Sequence, residues 1–363
     1  MPARPGPAAP PVPWRTALAV TAAALVLALA PSSLAEGAYA HGLYPMLQAW
    51  LTGASNNVPF AVFDAACVAL VVTLALVWWA SLRGSRGRRL RAVTTTVART
   101  TIVVAAAIAW FELAWGLNYA RPPVDVRLGL PPGQPSGAEV AALLTRAVEH
   151  VNRDHAAAHA EGFPRAQEVP PALAAALHEI EAEDGRPRPT VPARPKPTLA
   201  APYFRMAGVD GLTAPPLLET ILNPDLTGAE RPFVLAHEWA HLAGYAPEAD
   251  ANFVAWRVTQ RGTVASRYSG WLFLLGEAAR QVPRAVRRDA LAGLGVGPRE
   301  DLAAIDRRAA AQVEVVQRVG WRVYDGYLRS QGVAEGLASY SRVVELIVRS
   351  QRPHPSSPAP PPR

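Results

Sequence analysis

His237-Glu238-Trp239-Ala240-His241 is the segment whose residue types and spacing can do chemistry. Residues four apart on a helix share a face, so both imidazoles can reach one ion, and zinc is the ion expected. Glu238, beside the first imidazole, can take a proton from water activated by that ion. That is the arrangement of metal-assisted peptide hydrolysis. The apolar run Phe233-Val234-Leu235-Ala236 precedes the segment and Gly244 follows at the expected helix end. The segment therefore belongs on a helix packed in a core. His155 and His159 have the same spacing, but on an Ala-rich polar stretch with no acid positioned as a base. A solvated helix face is expected there.

The third ligand comes from Glu248 or Asp250, which both follow the Gly244 turn. Each helical residue advances about 100°, so positions two apart point roughly 200° apart and cannot share a metal. Glu248 lies in the first turn after Pro247, where the chain reverses. Asn252, one turn on, can hydrogen-bond a ligand imidazole from behind. Asp250 reads instead as a carboxylate favoured by the helix dipole. The expected metal set is His237, His241 and Glu248.

The elements that must position these residues are mostly helical. Phe233–Leu242 reads as one helix and a second starts at Pro247. Ser136 with Glu139 forms a capping box at the head of a helix reaching about Ala160. Val140, Leu143, Leu144, Ala147 and Val151 recur along it at helical spacing. Pro171–Glu183, Gln312–Ser330 and Glu335–Val348 are further helices, and Asp184–Pro202 is a Pro-rich connector. Leu217–Leu222, bounded by Pro216 and Asn223-Pro224, reads as a short strand. The expected fold is mostly α, an α+β domain with a small sheet over residues 121–350.

That domain follows a membrane anchor. Apolar stretches at about 16–34, 60–80 and 100–117 each approach the roughly 20 residues a spanning helix needs. Ala38-Tyr39-Ala40 resembles a signal-peptidase site, but two more stretches follow, so the first is expected to be retained. Between the second and third stretches lie Arg83, Arg86, Arg88, Arg89, Arg91 and Arg99 with no acid. From Glu36 to Asn57 there is no Lys or Arg. The positive-inside rule puts the Arg loop and the N-terminus in the cytoplasm, and everything after the third stretch outside. Asp64 and Glu112 fall toward the outer ends of their stretches, at the expected interface. Three spans make too small a bundle for a transport pathway. Residues 1–15 and 351–363 are Pro-rich and expected to be disordered.

Composition supports this division. The chain has 363 residues, 50% hydrophobic and only 18% charged, against about 25% charged for ordinary soluble domains. Wholesale disorder is excluded and a membrane portion is indicated. One cysteine, Cys67, excludes a disulfide framework, a cysteine-rich zinc ribbon and an iron–sulfur site. The net charge is +7. It is almost all arginine, with Lys196 the only lysine, and much of it flanks apolar segments. It reads as topology, and no nucleic-acid partner is expected.

From Trp115 onward the chain resembles a bacterial family of membrane-anchored proteins whose shared domain has no assigned function. The resemblance is carried by Trp115-Gly116-Leu117-Asn118-Tyr119-Ala120-Arg121; by Pro232–Trp256, which contains HEWAHLAGYAPEADANFVAW; and by Tyr327-Leu328, Glu335-Gly336 and Ser339-Tyr340-Ser341-Arg342-Val343-Val344-Glu345-Leu346. It implies three transmembrane helices followed by a zincin-like domain. The family pattern has Glu at both positions of the acid pair, whereas here the second is Asp250. The site is also similar to that of gluzincin membrane proteases of the prenyl-protein and heat-shock types, whose later ExxAD reads here as Glu248-Ala249-Asp250-Ala251-Asn252. That similarity implies Glu248 as third ligand. It implies an edge strand that binds substrate by strand addition, for which Leu217–Leu222 is the candidate. It also implies an oxyanion helper from later in the chain, with Tyr340 and Arg342 as candidates.

The expectation is a zinc metallopeptidase of the bacterial inner membrane, with its catalytic domain extracytoplasmic. Zn²⁺ is the cofactor, Glu238 the base, and envelope peptides or proteins the substrates. The alternative is a catalytically inactive metal-binding scaffold or sensor of the envelope.

Overall fold

The computed structural model describes residues 12–83, 89–215, 217–331 and 342–353. Two of its helices are long and apolar enough to cross a membrane, Val62–Arg83 and Arg89–Ala114. Val62–Arg83 has 22 residues, or about 33 Å at 1.5 Å per residue. It packs on Arg89–Ala114, yet Val68, Val71, Leu76, Trp79 and Leu82 stay exposed along it. A helix that is apolar all round and mostly unburied needs hydrocarbon as its solvent.

The first apolar stretch behaves differently from the expected single span of 16–34. Its helix, Trp14–Ala28, has 15 residues and ends before Pro31, which disfavours helical backbone at Ala30. It bends by 80° into the helical run Ser32–Asn56, so the count is two spans, or three if this bent pair is one. Trp14–Ala28 packs along Arg89–Ala114. The first helix buries Ala17 and Ala24, the second Ala98 and Ala105. Small residues of this kind let membrane helices approach closely.

The main core does not begin at Arg121. Tyr39, Tyr44, Leu51, Trp115 and Leu117 belong to the same apolar cluster as Leu143, Leu177, Trp239 and Ile347. The segment after the first stretch, expected as a loop, is therefore helical and docked. The Tyr44 hydroxyl donates to Leu242 O at 2.7 Å, and Thr52 Oγ1 donates to Leu218 O at 2.8 Å. Lys196, the only lysine, is buried against Glu219. That carboxylate also takes the amides of Val62 and Phe63 at 3.1 and 2.7 Å, tying the start of a span to the sheet. Asp64 likewise accepts from Thr198 Oγ1 and Leu199 N at 2.8 and 2.7 Å.

The helix Gly137–Glu161 carries the expected Ser136/Glu139 capping box, and Pro171–Glu183 forms as expected. Gly137–Glu161 packs on Val264–Gln281. That is one of three helices, with Arg284–Ala292 and Val296–Ala309, in a region the sequence left unassigned. The helix Glu314–Ser330 matches its expected bounds to within two residues. Of Glu335–Val348, the part before Arg342 lies outside the described residues, and Arg342–Ser350 is helical.

The only sheet among the described residues has two antiparallel strands, β1 (Gly211–Ala214) and β2 (Glu219–Leu222), in register Gly211↔Leu222 and Ala214↔Glu219. β2 is the core of the expected strand, yet it is not an edge. All four of its residues are buried, and Lys196 bridges Ile221 on its far side. β1, which the sequence did not announce, has no second strand partner among the described residues and is half-buried at Gly211 and Leu212.

Candidate metal centre

The helix Arg231–Leu242 starts with Pro232 in its first turn, where a missing amide costs nothing. It closes on Gly244 at φ 81°. Gly244 N donates to His241 O at 2.9 Å and Tyr245 N to Ala240 O at 3.1 Å, the double bond of a Schellman end. A Cβ at Gly244 would also stand 2.6 Å from Asn118 Oδ1. This sharp exit, followed by Pro247, lets Glu248–Arg261 return against the first helix. On the buried side, Trp239 Nε1 donates to Ala193 O at 2.9 Å and locks the helix rotation.

That rotation brings His237, His241 and Glu248 together. His237 Nε2 lies 3.1 Å from His241 Nε2 and 3.3 Å from Glu248 Oε2, and His241 Nε2 lies 3.7 Å from the same oxygen. Two donors bound at about 2.0–2.1 Å to a tetrahedral ion stand roughly 3.3 Å apart, so the spacing fits zinc-sized coordination. His241 Nδ1 lies 3.0 Å from Tyr245 O. Donating there puts its proton on Nδ1 and leaves Nε2 a free lone pair. Glu248 Oε2 and His237 Nδ1 are buried with no hydrogen-bond partner. Buried polar atoms are rarely left unpaired, and a cation between these donors would satisfy the carboxylate. Burial alone would push the Glu248 carboxyl up, but the two imidazoles outweigh it and hold it well below the carboxylate range. Burial pushes His237 down, while Glu248 reverses this and raises it.

Glu238 sits beside this group. Thr213 Oγ1 is 2.8 Å from its Oε2 and 2.8 Å from its backbone oxygen. A Cβ added to Gly211 would fall 2.4 Å from Glu238 Oε1, so the carboxylate lies flat on the glycine of β1. Burial raises the Glu238 carboxyl, and the two histidines offset only part of that rise.

Asp250 points away from the centre: its Oδ2 accepts from Val124 N at 2.9 Å. Arg342 is placed elsewhere too, 3.0 Å from Asp125 Oδ2, and it does not line the cavity in front of His237. Tyr340 lies outside the described residues. The residues that sequence reasoning missed are Thr213 and Gly211 on β1, and Tyr324, whose hydroxyl donates to Glu248 Oε1. Asp210-Gly211 looks like a turn, and a four-residue strand has too little alternation to be read. Tyr324 offered a signal only as one of the aromatics at helical spacing, with Trp321 and Tyr327.

Residues 39–348 match the family described as protein of unknown function (DUF3810). The chain belongs to this family. The match begins inside the docked segment before Val62–Arg83 and ends within the helix Arg342–Ser350, so the family unit includes the Tyr39–Asn56 wall as well as the centre. No curated protein and no solved structure matches the chain.

Proposed function

We propose that this family member is a membrane-anchored zinc metallopeptidase whose centre acts outside the cytoplasmic membrane. The observation that carries the reading is the buried His237/His241/Glu248 group with a carboxylate, Glu238, on the adjoining helical position. His237 Nε2, His241 Nε2 and Glu248 would hold the ion. Bound there, zinc supplies Lewis-acid activation of water and of the scissile carbonyl.

The chain's own groups account for the remaining steps. An extended peptide adds to the open edge of β1, which runs along the Glu238 side of the centre. Glu238 accepts a proton from the attacking water at Oε1, while Thr213 steadies Oε2. Water adds to the carbonyl carbon, the C–N bond breaks, and Glu238 returns the proton to the departing amine nitrogen. Tyr324, which lines the cavity and donates to Glu248 Oε1 in this structure, would turn that hydroxyl to the carbonyl oxygen as its charge grows, the role expected of Tyr340 or Arg342. The orientation rests on the arginine-rich sequence between residues 83 and 99; of these, Arg89 and Arg91 open Arg89–Ala114, at the opposite end of that helix from Trp115 and the centre.

The test uses the full-length protein in detergent with a random-sequence fluorogenic peptide library. Cleavage that o-phenanthroline stops and zinc restores is expected. Chelator-insensitive cleavage would sink the proposal, as would zinc-loaded protein that cuts neither soluble nor membrane-anchored peptides. A periplasm-active reporter fused after Arg121 should be active, and one near Arg89 inactive; the reverse would place the centre in the cytoplasm.

A further inference from the structure

We infer that the substrate is a polypeptide anchored in the same bilayer, cut at its extracytoplasmic boundary with the membrane; the inference rests on the peptidase reading. The metal helix is bonded directly to the end of a span. Trp115, the residue after Arg89–Ala114, donates Nε1–H to His241 O at 3.1 Å, and its ring meets the His241 ring edge-on at 6.0 Å. The cavity in front of His237 is about 730 Å³, and its wall includes Phe111 as well as Trp115 and Tyr119. Phe111 lies three residues inside the last residue of that span, about 4.5 Å along the helix axis. Part of the cavity wall is therefore the last turn of a span and the residues just after it, where the Trp and Tyr side chains favour the membrane–water interface.

The mouth tells the same story. Trp321, Tyr324 and Tyr327 face the cavity from Glu314–Ser330, and Tyr203 from the short helix Ala201–Ala207. These two helices pack together. Around them Leu199, Met206, Val315, Val319 and Val323 are exposed, Leu199 at 81% and Val323 at 70%. Leu199 is itself bonded through its amide to Asp64, in the first turn of Val62–Arg83. A cluster of large apolar side chains left open beside the ends of two spans has lipid as its natural cover. Val315, Val319 and Val323 lie on the face of Glu314–Ser330 turned away from Trp321, Tyr324 and Tyr327, so lipid against the valines would hold the aromatic face and its cavity at the bilayer surface, within reach of an anchored chain.

The experiment reconstitutes the zinc-loaded full-length protein in phosphatidylethanolamine/phosphatidylglycerol vesicles. A random-sequence decapeptide library with fluorophore and quencher is supplied in three forms. One is soluble, one is fused directly to a polyleucine anchor of about 20 residues, and one carries a Gly/Ser spacer of about 20 residues, roughly 25 Å on average, before the anchor. The directly anchored form should be cut at least ~10-fold faster than the soluble one, and more than the surface concentration gained by the spaced form explains. Equal rates for the direct and spaced anchors, or a soluble form as fast as either, overturn the inference while leaving the peptidase intact. Cleavage of none of the three overturns both.

Discussion

The molecule carries two histidine pairs at the same helical spacing, and each meets a carboxylate from another helix. His237 and His241 meet Glu248; His155 and His159 meet Asp301. The sequence marked the second pair as a solvated face with no acid positioned as a base; both rings are partly exposed, and what the sequence did not show is Asp301 facing them. Asp301, on Val296–Ala309, stands 2.9 Å from His159 Nε2 and 3.6 Å from His155 Nε2. What separates the two groups is what remains unsatisfied. Asp301 Oδ2 already accepts the Tyr268 hydroxyl at 2.5 Å and the His159 ring, and the His159 side chain is 43% exposed. Glu248 Oε2 is buried and faces only the two ligand imidazoles, at 3.3 and 3.7 Å, beside a cavity and a second carboxylate. Spacing supplies donors; an unmet demand for charge in a dry site gives them a reason to bind an ion.

The largest expected effect breaks the first group outright. Glu248→Ala should lose the zinc and all chelator-sensitive cleavage, read by metal analysis of the purified protein. Asp250→Ala, whose parent carboxylate holds Val124 N, should keep its zinc. If Asp250→Ala loses the ion and Glu248→Ala keeps it, the centre is assigned to the wrong carboxylate.

Next is the base, which the second histidine pair lacks. Glu238→Gln keeps shape and helix propensity, so zinc should stay while kcat falls by at least ~10²-fold, the scale of general-base contributions. A Glu238→Gln protein that retains zinc and cleaves at the wild-type rate removes Glu238 from the mechanism.

Gly211→Ala sharpens the comparison without touching a ligand. Its Cβ must displace the Glu238 carboxylate, which it would otherwise meet at 2.4 Å. A shift on the order of 1 Å in a positioned catalytic group costs about 10–10²-fold, so kcat should drop while zinc content holds. Unchanged kcat would mean that Glu238 works from another rotamer.

How much of this was legible follows from sequence separation. His237, Glu238, His241 and Glu248 lie within two consecutive helices joined by Gly244 and Pro247, so helical period and turn chemistry alone bring them near one another. Thr213 reaches Glu238 from 25 residues away and Tyr324 reaches Glu248 from 76. No local pattern encodes which face such distant elements present. The same limit hid Asp301, 142 residues from His159. It also hid the docking of Tyr44 and Thr52: their segment has the length and polarity of an extracytoplasmic loop, and only the completed core shows that it is a wall. The helix Glu314–Ser330 was readable from its period, but its aromatics give no clue to which of them meets the centre.

The smallest effect is expected at Asp301, and it decides whether the contrast between the two pairs is real. Asp301→Asn keeps the side chain's shape and one oxygen to accept the Tyr268 hydroxyl, but removes the charge that faces His155 and His159. The Asp301 side chain is 17% exposed and those of His155 and His159 are 24% and 43% exposed, so water screens the pair. Partly exposed contacts of this kind contribute at most about 1 kcal/mol, and urea unfolding should show a loss no larger than that. Zinc stoichiometry should remain one per chain in wild type and variant alike, because nothing at Asp301 lacks a partner that an ion would replace. A second equivalent of zinc that vanishes in Asp301→Asn would reverse the argument. It would mean that two imidazoles and a carboxylate suffice without a buried, unsatisfied oxygen, and that burial at His237 and His241 serves the reaction rather than the binding of the ion.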